Sequence, residues 1–225
     1  MNTKKWIIAL AMIPLFLGCS SINRQQMGTA GGALLGGLLG GLIAKNNNTA
    51  GVLIGAAIGG VAGNIIGKKM DQQAEEIKQA IPGAQVERVG EGLDITFDSD
   101  LLFLKGSAKL SDSATNELTT LASIFAKYPD TELLIEGHTS ADPKLASAAN
   151  AKANMELSRQ RSLAVGNLLK QQGVASDRVI EKWYGGERPK FSNDTEEERR
   201  KNRRVEIAVI ANEKMRKEAA EGTLQ

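Results

Sequence analysis

Polar residues collect at the end of one short apolar segment, LLIEGHTS (133–140). Such a segment is typical of a strand, and the carboxyl edge of a sheet is a common place for a site. His138 is the only histidine in the chain, which also has no Gly-x-Ser-x-Gly nucleophile motif. Zinc enzymes use several clustered ligands. We therefore expect no catalytic residue, metal or cofactor, and we interpret His138 as a strand-end residue without an acid or metal partner.

The composition of the 225 residues excludes several functional classes. Lys and Arg total 28 against 26 Asp and Glu, and aromatic residues make up 4%. A nucleic-acid binder usually has a basic surface and aromatic stacking platforms, so we expect no nucleic-acid partner. The single cysteine, Cys19, excludes an intrachain disulfide and a cysteine-rich metal site.

The N-terminus predicts a secreted, lipid-anchored protein. Lys4 and Lys5 precede the 12-residue apolar stretch 6–17, which fits a signal peptide rather than a membrane span. The following LFLGC resembles the lipobox of bacterial lipoproteins. That resemblance implies removal of residues 1–18, acylation of Cys19, a linker at 19–26 and anchoring in the lipid bilayer. The alternative is a free thiol after a short anchor helix. Ser20, the residue directly after this cysteine, favours sorting of the lipoprotein to the outer membrane.

Residues 27–69 are rich in glycine at a spacing of four. Such a spacing places small residues along one helix face, where backbones can approach closely. The stretch resembles the glycine-zipper segments of envelope lipoproteins. It predicts a helical hairpin that packs on itself or on other copies, giving a homo-oligomer; the alternative is a flexible linker. The spaced glycines are Gly28, Gly32, Gly36, Gly40, Gly51, Gly55, Gly59, Gly63 and Gly67.

The rest of the chain predicts an α/β sandwich between a charged helix and a charged tail. Residues 70–90 read as a short helix, stopped by Pro82-Gly83, and a linker. Residues 212–225 read as a frayed tail. Between them, the periodicities predict strands at 93–97, 131–138, 179–184 and 204–210 and helices at 111–128, 150–172 and 195–202. The order β-α-β-α-β-α-β gives helices against a mixed four-stranded sheet. The buried face of the longest helix is predicted to carry Leu157, Ala164, Val165 and Leu168.

Four motifs in this region, in order, resemble the OmpA-like C-terminal domain. They are ELLIEGHTS, NMELSRQRSLAVGNLLKQQGV, WYGGERP and NDTEEERRKNRRVEIAV, and together they place the domain at 91–211. Members of that family bind peptidoglycan non-covalently and recognise the diaminopimelate of its stem peptide. The resemblance therefore implies an OmpA-like sandwich with peptidoglycan as its partner.

The resemblance also implies which residues bind. Arg161, in LSRQR, matches the arginine that grips the ligand carboxylate, and Asn154 matches the asparagine of the same segment. The family has an aspartate for the ligand ammonium directly after GHT, but here Thr139 is followed by Ser140. About six residues are inserted before Arg161, and Asp142 at the start of this insertion is a substitute acid unless Pro143 turns it away.

The last motif supplies three further candidates. Arg199 matches the arginine of the family's Gly-Arg pair, with Glu198 in place of the glycine, and Asn202 and Arg203 match Asn-Arg-Arg. These residues either contribute to the peptidoglycan site or anchor loops.

The sequence thus predicts a lipoprotein of the outer membrane, with its OmpA-like domain in the periplasm, that tethers the membrane to peptidoglycan and is not an enzyme. The alternative is a structural envelope protein that oligomerises through its glycine zipper and has weakened or altered peptidoglycan binding. The Ser140 replacement motivates this second hypothesis.

Overall fold

A five-stranded sheet forms the centre of the computed structural model, which describes residues 60–224. The strands lie in the order β1-β2-β5-β3-β4, and only β3 and β4 run parallel. Their bounds are Gln85–Val89 (β1), Gly92–Asp98 (β2), Thr131–Gly137 (β3), Val179–Trp183 (β4) and Arg204–Ala211 (β5).

Six helices accompany the sheet in the described residues. They are α1 (Gly60–Ala80), α2 (Ser99–Leu102), α3 (Asp112–Lys127), α4 (Ala148–Gln171), α5 (Glu196–Asn202) and α6 (Glu213–Glu221). Hydroxyl side chains cap several of them: the Ser111 oxygen accepts from the Ala114 amide, and Ser147 accepts from the Asn150 amide. Thr195 and Glu198 form a reciprocal capping box, so Glu198 has a local reason to stand where the family pattern has glycine.

Alternation along the strands divides the sheet into an apolar and a polar face. Leu93, Ile95 and Phe97 of β2 point into the main core, which the helices cover. The opposite face carries a small apolar cluster around Leu134 and Ala208 together with buried charged groups. The helices therefore cover the apolar face, whereas the polar face carries the buried charged side chains.

The predicted α/β sandwich is confirmed, with one strand more than predicted. The additional strand β1 pairs with β2 through Gln85↔Thr96 to Val89↔Gly92. Its sequence, QVERV, is short and largely exposed, so it has no strong alternation from which to predict it.

Helix α1 crosses the predicted boundary between the glycine-rich segment and the charged helix. It runs without a break from Gly60 through Lys68-Lys69 to Ala80. Ile66, Met70 and Ile77 on this helix are fully buried in the main core. The signal peptide, Cys19 and residues 27–59 of the glycine hairpin lie outside the described residues. Within residues 60–224, no helix combines the length and apolar character needed to cross a bilayer.

The C-terminal segment differs from the predicted frayed tail, because residues 213–221 form α6. Asn212 caps this helix, and Gly222 ends it in the left-handed conformation at φ 70°. Met215 and Ala219 are 2% and 3% exposed in the core, and α6 packs against α1. The charged residues suggested a solvated tail, but the four-residue spacing of these two apolar residues gives α6 a face to bury.

Candidate binding site

Two glycines and a serine fix α4 against the sheet. A Cβ at Gly137 would overlap the carbonyl oxygen of Ser158, so only glycine lets the helix backbone approach the end of β3 this closely. The Ser158 hydroxyl accepts a hydrogen bond from the Gly185 amide at 2.9 Å and donates one to the Met155 carbonyl at 2.8 Å. Three of the four sequence motifs therefore meet at this contact, although neither glycine nor Ser158 was predicted to matter.

This close approach also affects which residues of α4 are buried. The fully buried positions include Ser158, Ser162 and Val165, whereas Leu157 and Leu168 are only partly buried. The predicted face is confirmed for Val165, and Ala164 and Leu168 pack against the core while only partly buried. The apolar spacing did not predict the small polar residues Ser158 and Ser162, which are fully buried beside the sheet.

Arg161 is the buried cation of this helix face. It is 3% exposed, its Nε donates to the Ser107 carbonyl at 3.0 Å, and its guanidinium carbon lies 5.0 Å from the centre of the Phe103 ring. Its Nη1 is buried and has no hydrogen-bond partner in the described part of the chain. Burial lowers the pKa of the guanidinium, Asp100 raises it and Arg203 lowers it. A buried donor without a partner is a site for an anionic acceptor.

Arg203 lies in the charged surroundings of Arg161 but is committed to other partners. Its Nη2 is 2.9 Å from a carboxylate oxygen of Glu196 and 3.6 Å from one of Asp100. Its side chain is 24% exposed. Arg203 therefore shares Asp100 with Arg161 and adds positive potential, while its own donors hold α5 and α2 in place.

Thr139, Ser140 and Asn154 form a connected group at the end of β3. The Thr139 amide donates to the Gly185 carbonyl at 2.8 Å, and its buried hydroxyl has no partner among residues 60–224. The Asn154 amide donates to the Ser140 carbonyl at 3.2 Å. Asn154 and Arg161 are seven residues apart on α4, so they share a face about 10.5 Å apart along the axis.

A cavity of about 590 Å³ opens between the loop after β3 and the start of α4. We call it the loop cavity. Asp142 is in its wall, and one of its carboxylate oxygens accepts from the Lys144 amide at 2.9 Å as the cap of the short turn Pro143–Leu145. The structure therefore groups Ser140, Asp142 and Asn154 around the loop cavity, and Arg161 is not part of its lining. The lining includes Ser140, Asp142, Leu145, Ala151, Asn154 and Glu187.

Arg199 and Asn202 anchor the loop that precedes α5. Arg199 pairs with Glu196 at 2.9 Å and donates to the Asn193 carbonyl at 2.8 Å. Asn202 is fully buried; its side-chain oxygen accepts from the Lys190 and Phe191 amides at 2.9 and 3.0 Å. Of the two readings left open by the sequence, these contacts favour loop anchoring for both residues.

Asn193 connects this loop to the loop cavity. Its side-chain oxygen accepts from the Asn202 side-chain amide at 3.0 Å and from the Ala141 backbone amide at 3.3 Å. It was not among the predicted site residues. The Asn-x-Thr of the last motif was the available signal, since Asn193 is its first residue.

His138 lies in a network of buried charges on the polar face of the sheet, so the expectation that it has no acid partner was wrong. Its Nε2 is 3.9 Å from a carboxylate oxygen of Glu206, and its ring stacks on Tyr184 at 5.3 Å between centroids. The register Glu136↔Glu206 between β3 and β5 brings both acids beside it. Strand pairing brings these residues together, and no local sequence motif predicts the cluster.

Cations already neutralise this network. Glu206 accepts from Arg204 at 2.6 Å and lies 2.7 Å from the Lys190 ammonium, which also contacts Asp94 at 3.1 Å. Glu136, His138 and Glu206 bring possible metal-ligand atoms within 4.8 Å of one another. Because the ammonium and guanidinium groups occupy the charge-compensating positions, we interpret the cluster as an ion-pair network that joins the strands.

Burial sets the protonation of this network. Burial and then the Arg204 charge lower the pKa of His138 to about 3, so the ring is neutral at physiological pH. Burial alone would raise the pKa of Glu206, but Arg204, His138 and Lys190 lower it to about 2. The acid therefore stays ionised between its basic neighbours.

Taken together, the mixed five-stranded sheet and the buried Arg161 define an α/β domain with a candidate anion-binding site. Residues 102–203 match the sequence model of the OmpA family, and residues 1–71 match that of the YMGG-like Gly-zipper. Residues 102–203 are therefore similar to the OmpA family, and the segment before them is similar to a glycine zipper.

Individual relatives agree with this assignment. The chain is 33% identical over 127 residues to the probable lipoprotein YiaD of Escherichia coli, covering 56% of this chain and 55% of that protein. It is 33% identical over 109 residues to the peptidoglycan-binding protein ArfA of Mycobacterium tuberculosis, covering 48% of this chain and 32% of that one. The cell wall anchor of the T6SS from Pseudomonas aeruginosa superposes with a TM-score of 0.53 at 25% identity, over 64% of this chain and 97% of that one. The chain thus spans about half of the first relative and about a third of the second.

Proposed function

We propose that this protein holds peptidoglycan non-covalently through its OmpA-family domain and tethers a membrane of the cell envelope to it. The observation that carries the proposal is Arg161, which is 97% buried yet has an Nη1 without a hydrogen-bond partner in the described residues. The relatives named for peptidoglycan or cell-wall binding support the same choice of ligand.

The proposed ligand is the diaminopimelate of the stem peptide. Its free carboxylate accepts from the Arg161 guanidinium, a charge-assisted bond that burial strengthens. Its amine then lies toward Thr139, Ser140 and Asp142, and Asn154 holds the Ser140 carbonyl in place from the same helix. Ser140 offers a neutral hydroxyl to the amine, and Asp142 offers a carboxylate from the wall of the loop cavity.

The membrane end of the tether is proposed to be acylated Cys19 and the glycine zipper, in the outer membrane with the domain in the periplasm. Two weak attachments on one chain act together, because the first raises the effective concentration of the second. The proposed activity is therefore binding rather than catalysis.

Co-sedimentation of the full chain with purified sacculi tests the proposal. Arg161→Ala should reduce the bound fraction more than tenfold, in line with about 2–5 kcal/mol for truncating one partner of a buried charge pair. Arg161→Lys should bind weakly as well, since lysine keeps the charge but not the planar donor geometry.

The matched control is Arg159→Ala. Arg159 lies two residues away on α4, and its exposed guanidinium pairs with the exposed carboxylate of Glu156 at 2.7 Å. Circular dichroism must show that all variants are folded. Wild-type sedimentation of a folded Arg161→Ala protein would refute the proposal.

A second candidate function, oligomerisation through the glycine zipper, is favoured by the match of residues 1–71 to the Gly-zipper model. Cross-linking the full chain and a deletion of residues 27–58 compares the two. The deletion spares α1, which is part of the core. Oligomers that vanish with the deletion support this function, and a monomeric full chain excludes it.

A further inference from the structure

The loop cavity is much larger than recognition of one amine requires. Its volume of about 590 Å³ lies within the roughly 300–1,000 Å³ typical of ligand pockets. Its lining includes Ser140, toward which the amine of the proposed ligand lies, and residues from the start of α4, but not Arg161. The cavity therefore shares Ser140 with the proposed peptidoglycan site and has room for more of the ligand.

Side-chain amides hold the walls of the loop cavity in place. Asn154 donates to the Ser140 carbonyl at 3.2 Å, and Asn150 donates to the Leu145 carbonyl at 2.5 Å. The Ala141 amide donates to the Asn193 side chain at 3.3 Å. These three bonds fasten the loop near its start, at Ser140 and Ala141, and near its end, at Leu145, so a ligand would enter a preformed cavity at a small ordering cost.

The chemistry of the lining selects an uncharged or basic group with small apolar parts. Much of the wall consists of methyl-sized side chains, including Ala141, Ala146 and Ala151. The only ionisable lining residues are the acids Asp142 and Glu187. A terminal carboxylate would be repelled there, whereas an amide N–H could donate to Ser140 or to either acid.

We infer that the loop cavity is a second subsite, which receives an alanine-sized acyl group attached to the amine of the diaminopimelate. The inference rests on the proposed function, because Arg161 must hold the other end of the same residue. An amide nitrogen at Ser140 can donate to its neutral hydroxyl, so this end of the ligand does not require a charged partner. One added residue extends the ligand by about 3.6 Å into the cavity. The ligand class is thus the cross-linked stem peptide, in which that amine is acylated.

Calorimetric titration of the full chain in detergent micelles tests this subsite with two ligands. One is free diaminopimelate, and the other is diaminopimelate acylated on one amine by N-acetyl-alanine. The acylated ligand should bind at least tenfold more tightly. Equal or weaker binding of the acylated ligand, with free diaminopimelate still bound, would overturn the inference alone. Binding of neither ligand would overturn the proposed function as well.

A pair of phenylalanine substitutions locates the effect. Ala151 lines the cavity, and Ala149 lies two residues earlier on the same exposed turn of α4 but is not in the lining. Ala151→Phe should fill the cavity and reduce the affinity ratio of acylated to free ligand to near one. Ala149→Phe should keep the wild-type ratio. Retention of the ratio in Ala151→Phe, or its loss in both variants, would show that the cavity is not the subsite.

Discussion

At the scale of single residues, two buried polar groups have opposite roles. Arg161 is buried with a donor that no described residue satisfies, which costs free energy until a ligand accepts from it. The charges around His138 are mutually compensated by Arg204 and Lys190. The first arrangement is suited to binding and the second to holding strands together, although both derive from motifs of the same domain.

The neutral His138 predicts a loss of stability in mild acid. Its pKa is about 3 in the folded chain, whereas an unfolded histidine titrates near its ordinary value of about 6.5. The unfolded state therefore binds more protons between these values, and the free energy of unfolding falls as the pH drops through 6.5. By pH 5 the loss amounts to about 2 kcal/mol, at about 1.36 kcal/mol per pKa unit.

Urea unfolding of the full chain at pH 7 and pH 5 measures this effect, with His138→Gln for comparison. The variant should lose less stability over the interval. Glu206 titrates mostly below this window because its pKa is about 2, and the raised pKa of Asp94 contributes to both proteins. Identical pH dependence in the two proteins would rule out a buried neutral His138 as the cause.

Candidate residues could be chosen where a motif is local. Arg161 was chosen because it matches the family's arginine in LSRQR, and its role stays a prediction. The partners of His138 were not, since Glu206 is 68 residues away in sequence and reaches it only through the β3–β5 register.

At the scale of elements, the placement of α4 depends on how closely it approaches β3. The helix carries Asn154 and Arg161, and the segment directly after β3 carries Thr139 and Ser140. Gly137 sets the distance between the two groups, because its missing side chain leaves space for the Ser158 carbonyl. The geometry of the site therefore depends on a residue that does not touch the ligand.

Gly137→Ala should consequently weaken both the fold and the site. The new Cβ meets helix backbone that cannot move aside alone, so we expect a loss of about 1–3 kcal/mol and reduced sacculus binding. Thermal unfolding and co-sedimentation measure the two effects. Gly83→Ala is the control, as its Cβ would be 3.4 Å from the Glu117 carboxylate, an ordinary contact. A Gly137→Ala protein as stable as the control would contradict this role.

The sequence predicted helices with clear caps better than buried faces. The predicted helix 111–128 is confirmed as α3, with Ser111 as its cap. The buried face of α4 was predicted only in part, because apolar spacing identifies residues such as Val165 but not buried serines. Where glycine permits close contact with a sheet, Ser158 and Ser162 are buried beside it as well.

At the scale of the molecule, both ends of the described chain pack into one core. Helix α1 enters it directly from the glycine-rich segment, with Arg88 of β1 pairing with Asp71 at 2.8 Å. Helix α6, near the other end of the described chain, packs against α1. A pull on the glycine-rich segment would therefore act on the folded domain without a flexible linker at residues 70–80.

Met215→Ala tests whether α6 belongs to this core. Its side chain is 2% exposed, so truncation should cost about 2–5 kcal/mol of unfolding free energy. Lys217→Ala, on the exposed side of the same helix, should cost less than about 0.5 kcal/mol. Equal urea midpoints for the two variants would support a frayed tail after all.

The fold class and the order of its main elements followed from periodicity and motifs, while the edges of the domain did not. Strand β1 and helix α6 are short, charged segments with few apolar residues, and these residues form a buried face only in the assembled core. Tertiary packing therefore determines the structure of such segments, and the local sequence pattern does not reveal that packing.

The central claim is that the domain recognises a residue carrying both an amine and a second carboxylate. Competition for sacculi between diaminopimelate and lysine blocked as Nα-acetyl-lysine amide tests it most directly, because the blocked lysine keeps a free amine on a similar chain but has no free carboxylate. Free diaminopimelate should release the full-length protein from sacculi in a dose-dependent way, and the blocked lysine at the same concentrations should not. Equal release by both compounds, or by neither, would contradict the role assigned to Arg161.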